Sequence, residues 1–493
     1  MGSIISQQLK KRKWILLIFI LSFIGGVLVM TDGHEWGDDF ALYLSQANAI
    51  LKGTTHDLLQ YNTWSMQHSD GTLGPYLYPQ GYPLFLSIYM KFFPFNWIGI
   101  KIFQWFFYLL GAFAFYKTVS QSHIKLPHWW LVFCVALALL HPKYIQFSDR
   151  LMSDLWFLVT VFLFFFFLYS SQFNGSLKNF LIGLCAILAA LTRVNGFILI
   201  ISWWTYIFFQ KSIIKDKLTQ LIWTIPFTLV VVYLKKIDAQ LESNHVELLN
   251  QITISGMMKN MSDYFSDLVS FPISLFIPAI ETIGIPVFAV VCVCAAVILY
   301  SFFSVVRSKN RFLHFAPVMV WIFSNLFIIV IWPISQGPRF LIPIFPFVYW
   351  IVCVGISQNV KSKLWQNLIP VGFLSILIIQ FLTTVTFFGF IEPRNEVIGV
   401  TQNDIYSNIK TMVKEDEVIA FDKPRWLHLI TNKKVIRKTS DSSFFMSDAQ
   451  YLLKKRVGIY SKRIERIEDS RLDSVYGNKD FVLYKRNDLS VKR

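Results

Sequence analysis

A succession of about eleven apolar runs, separated by short polar stretches, decides what this chain can fold into. They lie at about 14–30, 97–117, 129–147, 154–171, 178–191, 196–210, 218–235, 279–304, 314–334, 340–357 and 366–388. A helix through hydrocarbon needs about 20 apolar residues, and most of these runs approach that length. The pair 178–191 and 196–210, split by TRVNG, reads either as one interrupted span or as two. Only 15% of the 493 residues are charged and 54% are hydrophobic, with 48 phenylalanines. A soluble domain carries about 25% charged residues, so the expected solvent is bilayer. LKKRK at 9–13 precedes the first run, and the acidic DGHEWGDD follows it without a small-residue cleavage site. The first run therefore reads as an uncleaved span with its N-terminus inside.

The formal charge of +16 would suit nucleic acid, but its placement argues for membrane topology. With the N-terminus inside, the inner connections hold Lys117 and Lys125; Lys178; Lys211, Lys215 and Lys217; Arg307, Lys309 and Arg311; and Lys361 and Lys363. Every clear basic cluster between runs falls on one side, as cytoplasmic loops require. The other side receives a long first loop (31–96), a short loop (141–154), a loop of about 40 residues (236–278) and everything after Phe388. In a Gram-negative cell that face of the inner membrane is the periplasm. The five cysteines, Cys134, Cys185, Cys292, Cys294 and Cys353, all lie in apolar runs and read as small hydrophobes. Cys292 and Cys294 lack the second ligand pair of a zinc site.

The expected organisation is a multi-span domain at 1–389, including the loop 31–96, and a soluble α/β domain at 390–493. In the latter, EVIAF (417–421), KVIR (434–437), VGIYS (457–461) and FVLYK (481–485) read as strands. YSNIKTMV (406–413) and DAQYLLKK (448–455) read as helices.

Candidate chemistry concentrates in the outer loops. From Asp39, the spacing of Phe40, Tyr43, Leu44, Ala47, Ile50 and Leu51 gives one face of a helix. Asp38 and Asp39 stand at its first turn, where a carboxylate caps amide groups or, as a pair, forms a base and its partner. YLYPQGYPLFL (76–86) re-enters the interface with aromatic anchors, and Tyr82 there is a substrate-lining candidate. FSDRLMSDLWF (147–157) carries Asp149, Arg150 and Asp154. Asp149 and Arg150 read as a pair facing water, or as carboxylate chemistry converging with the first loop. Arg193 in ALTRVNGF and Arg339 in SQGPRFLIP fall near span ends, where an arginine snorkels to headgroups or meets an anionic ligand. There is no Walker A, no G-x-S-x-G and no H-E-x-x-H, so the substrate is expected to arrive already activated.

The ordered set GDDFALYLSQA, YPQGYPLFL, SDRLMSDLWF, LTRVNGF and GPRFLIPIFP over about residues 30–350 resembles the GT-C superfamily of integral membrane glycosyltransferases. In layout it is nearest the bacterial enzymes akin to protein O-mannosyltransferases and the lipid A aminoarabinose transferases. The resemblance implies inverting transfer of a sugar from a polyprenyl phosphate carrier to a lipid, glycan or protein acceptor. It gives the base role to Asp38, with Asp39 where many relatives have Glu, so which of the two is the base stays open. It places an acidic residue at Asp154 and the basic residue that meets the donor phosphate at Arg339, with Arg193 a weaker equivalent. Some relatives use a divalent ion and others do not, so the cofactor stays open. The competing classes are a transporter or flippase of lipid-linked sugars, a polysaccharide ligase or polymerase, and a non-catalytic scaffold.

Overall fold

The structure, a computed structural model, describes residues 2–34, 38–71, 74–173, 175–210, 212–241, 252–270, 287–332, 337–391, 404–438, 440–455, 469–478 and 480–487. Each apolar run is mostly helical where described. The helices are Gly2–Leu28, Trp97–Gln121, His128–Leu140 with Pro142–Ser148, Ser153–Tyr169, Gly175–Thr192, Ile198–Phe209, Ile214–Leu241, Val287–Arg307, Lys309–Ile331, Phe345–Asn359 and Lys363–Thr386. Hydrocarbon leaves backbone groups no partner outside the segment, so helix is the conformation such runs must take. Among the described residues six stretches are long and apolar enough to cross a membrane, and four more are apolar but shorter. The chain is a multi-pass membrane protein, and length and composition alone carry six of the expected crossings among the described residues.

The chain forms two compact units. One comprises Met1–Met30, Gly99–Ala239 and Val246–Pro393, and the other Thr31–Ile98, Gln240–His245 and Arg394–Arg493. The loop 31–96, read from sequence as part of the membrane domain, thus groups with the C-terminal segment.

In the helical unit, His128–Ser148 runs through the middle, with 83% of its apolar window buried. Ile214–Leu234 has 11% buried and turns Leu218, Ile222, Ile225 and Leu229 outward, as a lipid-facing helix would. Much of the phenylalanine content fills the centre, where Phe115 meets Phe162 (4.9 Å between ring centroids) and Phe165 meets Phe347 (4.7 Å), both tilted. Gly355 lets two helices touch, since a Cβ there would lie 2.6 Å from the Ser301 backbone. Within the loop 236–278 a helix, Ile254–Ser270, packs on the bundle. Its Asn260 Nδ2 donates to the carbonyls of Val330 (3.2 Å) and Trp332 (2.6 Å), satisfying the open end of Lys309–Ile331.

In the second unit the first loop supplies helices Asp39–Lys52, Thr55–Gln67 and Gly81–Phe92. The C-terminal segment supplies five strands: β1 (Val418–Ala420), β2 (Lys434–Ile436), β3 (Tyr451–Lys455), β4 (Leu472–Gly477) and β5 (Phe481–Arg486). The sheet order is β2-β1-β3-β5-β4, with β1 parallel to β2 and β3, and β5 antiparallel to β3 and β4. DAQYLLKK is therefore not a helix: its C-terminal half is the central strand β3. A short apolar run does not distinguish buried strand from helix by period, and β3 is enclosed by partners on both edges. VGIYS (457–461) lies outside the described residues. The free edge of β2 is covered by the loop helix Thr55–Gln67. Ser65 Oγ donates to the Val435 carbonyl (2.7 Å) and the Val435 amide donates to Tyr61 Oη (3.2 Å). Those side chains occupy groups that would otherwise recruit another strand.

Candidate functional site

Within the helical unit, residues far apart in sequence gather their charges at helix ends. Gly175–Thr192 stops at Arg193, whose backbone is extended (φ −146°, ψ 149°), and the chain restarts through the 3-10 turn Val194–Phe197. Gly196 permits that break, because a Cβ would stand 2.3 Å from the Ala189 carbonyl carbon. Arg339 comes from the 3-10 turn Gly337–Leu341, entered through Gly337 at φ +60°. Both arginines converge on Asp154, in the first turn of Ser153–Tyr169 and fully buried. Arg193 Nη1 donates to Asp154 Oδ1, and Arg339 Nε donates to Oδ2 at 2.9 Å. The Arg193 guanidinium also lies over Phe340 (5.5 Å) and Phe157 (5.9 Å). The helix N-terminus adds its own preference for the carboxylate.

A second pair accompanies this trio. Asp149 Oδ1 meets Lys101 Nζ at 2.7 Å, with the two side chains 2% and 0% exposed. Asp149 is therefore buried, not facing water as one reading of the sequence had it. Arg150 lays its guanidinium over Phe147 (5.1 Å), and its carbonyl accepts from Gln104 Nε2 (2.9 Å). Charges at this depth are costly unless paired, and Lys101 supplies the pairing from the start of its own helix.

In the second unit the acidic pair divides. Asp38 occupies the N-cap position of Asp39–Lys52 but makes no side-chain bond to that helix, which corrects its reading as that helix's cap. Its Oδ2 accepts the Arg425 amide and its Oδ1 the Trp426 amide, both at 2.9 Å. These are first-turn amides of the helix Pro424–Thr431. Removal from water pushes the Asp38 carboxyl up to about 6, against the opposing pull of Arg425 and the two amides. Asp39, half-buried, accepts from the Tyr78 hydroxyl, which burial holds well above its ordinary range. Gln46 braces Tyr78, donating to its carbonyl (2.8 Å) and accepting its amide (3.0 Å). Tyr82 is fully buried, with its ring edge-on to Tyr43 at 4.9 Å.

No family model and no curated protein sequence matches the chain. Solved structures do. ArnT from Cupriavidus metallidurans, in its apo state and bound to undecaprenyl phosphate, superposes with a TM-score of 0.54. Identity is 11%, over 96% of this chain and 98% of that one. The Archaeoglobus fulgidus oligosaccharyltransferase, tethered with an acceptor peptide, gives 0.53 at 9% identity over 90% and 69%. The chain shares the fold of these structures. The expected likeness to the lipid A aminoarabinose transferases therefore holds at the level of fold, with a small C-terminal sheet present.

The described residues do not fit a divalent cation. No three of His, Cys, Asp and Glu come together among them. The Asp38 oxygens are taken by amides and those of Asp154 by guanidiniums. Sequence reading missed Lys101 and Arg425. A lone lysine inside an apolar run was a usable signal for the first; nothing local marks the second.

Proposed function

We propose that this protein is a glycosyltransferase that moves a sugar from a polyprenyl-phosphate-linked donor to an acceptor oxygen of a lipid, glycan or protein. The observation that carries the reading is the fold shared with ArnT over 96% of the chain. In support, ArnT, one of the similar proteins, has been solved bound to undecaprenyl phosphate, and the loops here present carboxylates and arginines without any nucleotide motif. The charge pattern of the loops favours the cytoplasmic membrane, with the first loop and C-terminal segment on the outer, periplasmic face.

In this reading Arg339 and Arg193 hold the donor phosphate. Guanidinium remains charged and offers paired N–H groups to phosphate oxygens. Asp154 fixes both arginines, and so acts on the phosphate through them. As the acceptor oxygen bonds to the sugar C1, the C1–O bond to phosphate breaks and its electrons go to the polyprenyl phosphate, where the arginines stabilise the growing charge. One of Asp38 and Asp39 takes the acceptor proton. Attack opposite the leaving phosphate inverts C1. Asp149 helps shape the donor end through Lys101, and Tyr82 supports the loop that lines the acceptor.

The test is label transfer by membranes containing the wild-type chain or Arg339→Ala, supplied with radiolabelled polyprenyl phosphate sugars at matched expression. Labelled product from wild type, lost in Arg339→Ala, is expected. Label crossing the membrane without changing its carrier would replace this reading with a flippase.

A further inference from the structure

Among the described residues of the long loop before Val287–Arg307 lies the helix Ile254–Ser270, and its side chains sort into three lengthwise stripes. Asn260, Tyr264 and Leu268 recur every fourth residue and are buried. Ile254, Met258, Met261 and Phe265 recur at helical spacing and are 79%, 62%, 56% and 45% exposed. Lys259, Asp263 and Asp267 form a polar stripe, and Lys143 of the short outer loop attracts Asp267. At about 3.6 residues per turn the apolar exposed stripe stands about a quarter turn from the buried one, and the polar stripe almost opposite it.

A helix packed on a protein from water needs one apolar face toward the core and polar residues elsewhere. This helix carries a second apolar face that the protein leaves exposed, which calls for another apolar phase. Its fastenings give its depth. Asn260 Nδ2 donates to the Val330 and Trp332 carbonyls, at the end of the span Lys309–Ile331. Tyr349 Oη, in the second turn of Phe345–Asn359, donates to the Leu268 carbonyl at 2.8 Å. The helix is therefore held at span ends, where hydrocarbon gives way to headgroups. Bundle at the side, lipid below and water above are the surroundings of a helix lying in an interface, and the three stripes match them in order.

We propose that Ile254–Ser270 lies along the outer surface of the membrane and sinks Ile254, Met258, Met261 and Phe265 into the acyl boundary of the phospholipids there. That the surface is the outer one rests on the topology proposed above; the insertion does not. Methionine suits such a contact, because its unbranched side chain adapts to neighbours of no fixed shape. The helix also packs against the turn Gly337–Leu341, which carries Arg339. Its lipid contact thus holds that turn at headgroup depth, the level at which a lipid-linked phosphate arrives in the glycosyltransferase reading.

The experiment uses the full chain in nanodiscs of phosphatidylethanolamine and phosphatidylglycerol, with p-benzoylphenylalanine in place of Met258, Phe265, Lys259 or Asp263. After illumination, mass spectrometry reads phospholipid joined to the peptide covering 254–270. Adducts from positions 258 and 265 are expected at least tenfold above those from 259 and 263. Equal lipid capture by the two stripes, or capture of a second copy of the chain from 258 and 265, overturns the insertion. The second measurement is amide exchange of 254–270 in the same nanodiscs. Met258→Asp combined with Met261→Asp is expected to speed it at least tenfold and Lys259→Ala to leave it unchanged, with 128–148 protected as in wild type. Unchanged exchange in the double variant overturns the proposal. If 128–148 also lose protection, the bundle has been disturbed and the crosslinking decides. Neither readout needs sugar transfer, so a wild type that transfers nothing ends the glycosyltransferase reading while the lipid adducts still decide the insertion.

Discussion

Replacing Asp154 by asparagine keeps the shape of the side chain and removes its charge. In the native cluster one carboxylate serves two guanidiniums, Arg193 on Oδ1 and Arg339 on Oδ2, and it is fully buried. Asparagine leaves two neighbouring cations without their shared anion and turns an amide N–H₂ toward one of the donors. At an effective dielectric of about 20, a unit charge pair about 4 Å apart interacts by about 4 kcal/mol. Removing one member of a buried pair costs about 3–5 kcal/mol, and the carboxylate also loses the favour of the helix N-terminus. With an unfolding entropy of about 2.1 cal/mol/K per residue, a loss near 4 kcal/mol lowers Tm by about 4 °C for a chain this long. The assay is thermal unfolding of the detergent-solubilised protein followed by intrinsic tryptophan fluorescence. Asp154→Asn is expected to melt several degrees below wild type, and an added Arg193→Met change should recover part of the loss by removing one stranded cation. An Asp154→Asn protein that melts with wild type would refute the argument that this carboxylate holds the arginines in place.

Lys101 and Asp149 form a buried ion pair. Lys101→Met or Asp149→Leu alone should each cost about 3–5 kcal/mol, while the double variant should return close to wild type or exceed it, as thermal unfolding of the set will show. Gly196→Ala places a methyl 2.3 Å from the Ala189 backbone, so the break that presents Arg193 must shift. Its melting point should fall, and charge reversal at Arg193 should add little further loss. Asp38 has a folded-state pKa raised to about 6 from 3.8. Such a group adds most to stability below the lower value, and its contribution is lost as pH rises through the higher one. Asparagine does not titrate, so the stability of Asp38→Asn relative to wild type should improve by up to about 3 kcal/mol between pH 4 and pH 7. A constant gap in melting points across that range would refute the shift.

The helical unit was largely legible because a bilayer writes its demands into the sequence as long apolar runs and one-sided lysines. The strand Tyr451–Lys455 was not, since YLLKK buries its apolar side chains in either conformation and only its neighbours β1 and β5 decide. Asp154, Arg193 and Arg339 were each visible as charges at span ends. That they meet on one carboxylate was not, because the contacts join residues 39 and 185 positions apart. Lys101 could have been found as a charge inside an apolar run, though its partner 48 residues away could not. Asp38 shows the limit most sharply. Its local sequence is that of a helix cap, and the amides it holds belong to a helix whose own sequence, PRWLHLIT, asks for no acidic partner.

The stoichiometry of the buried charges separates two kinds of design. Lys101 and Asp149 form an ion pair, which neutralises charge at a helix end. Asp154 faces two arginines, so the trio by itself carries one formal positive charge in excess. Stability alone does not favour that excess, because a second guanidinium adds its own desolvation while the carboxylate's attraction is already engaged. The arrangement makes sense if the carboxylate's task is to hold two guanidiniums in fixed orientation toward an anion. Fixed donors with a surplus of positive charge are what a phosphate leaving group needs, since they require little reorganisation as its charge develops. A single arginine paired with a single aspartate would hold its geometry equally well and offer an anion far less.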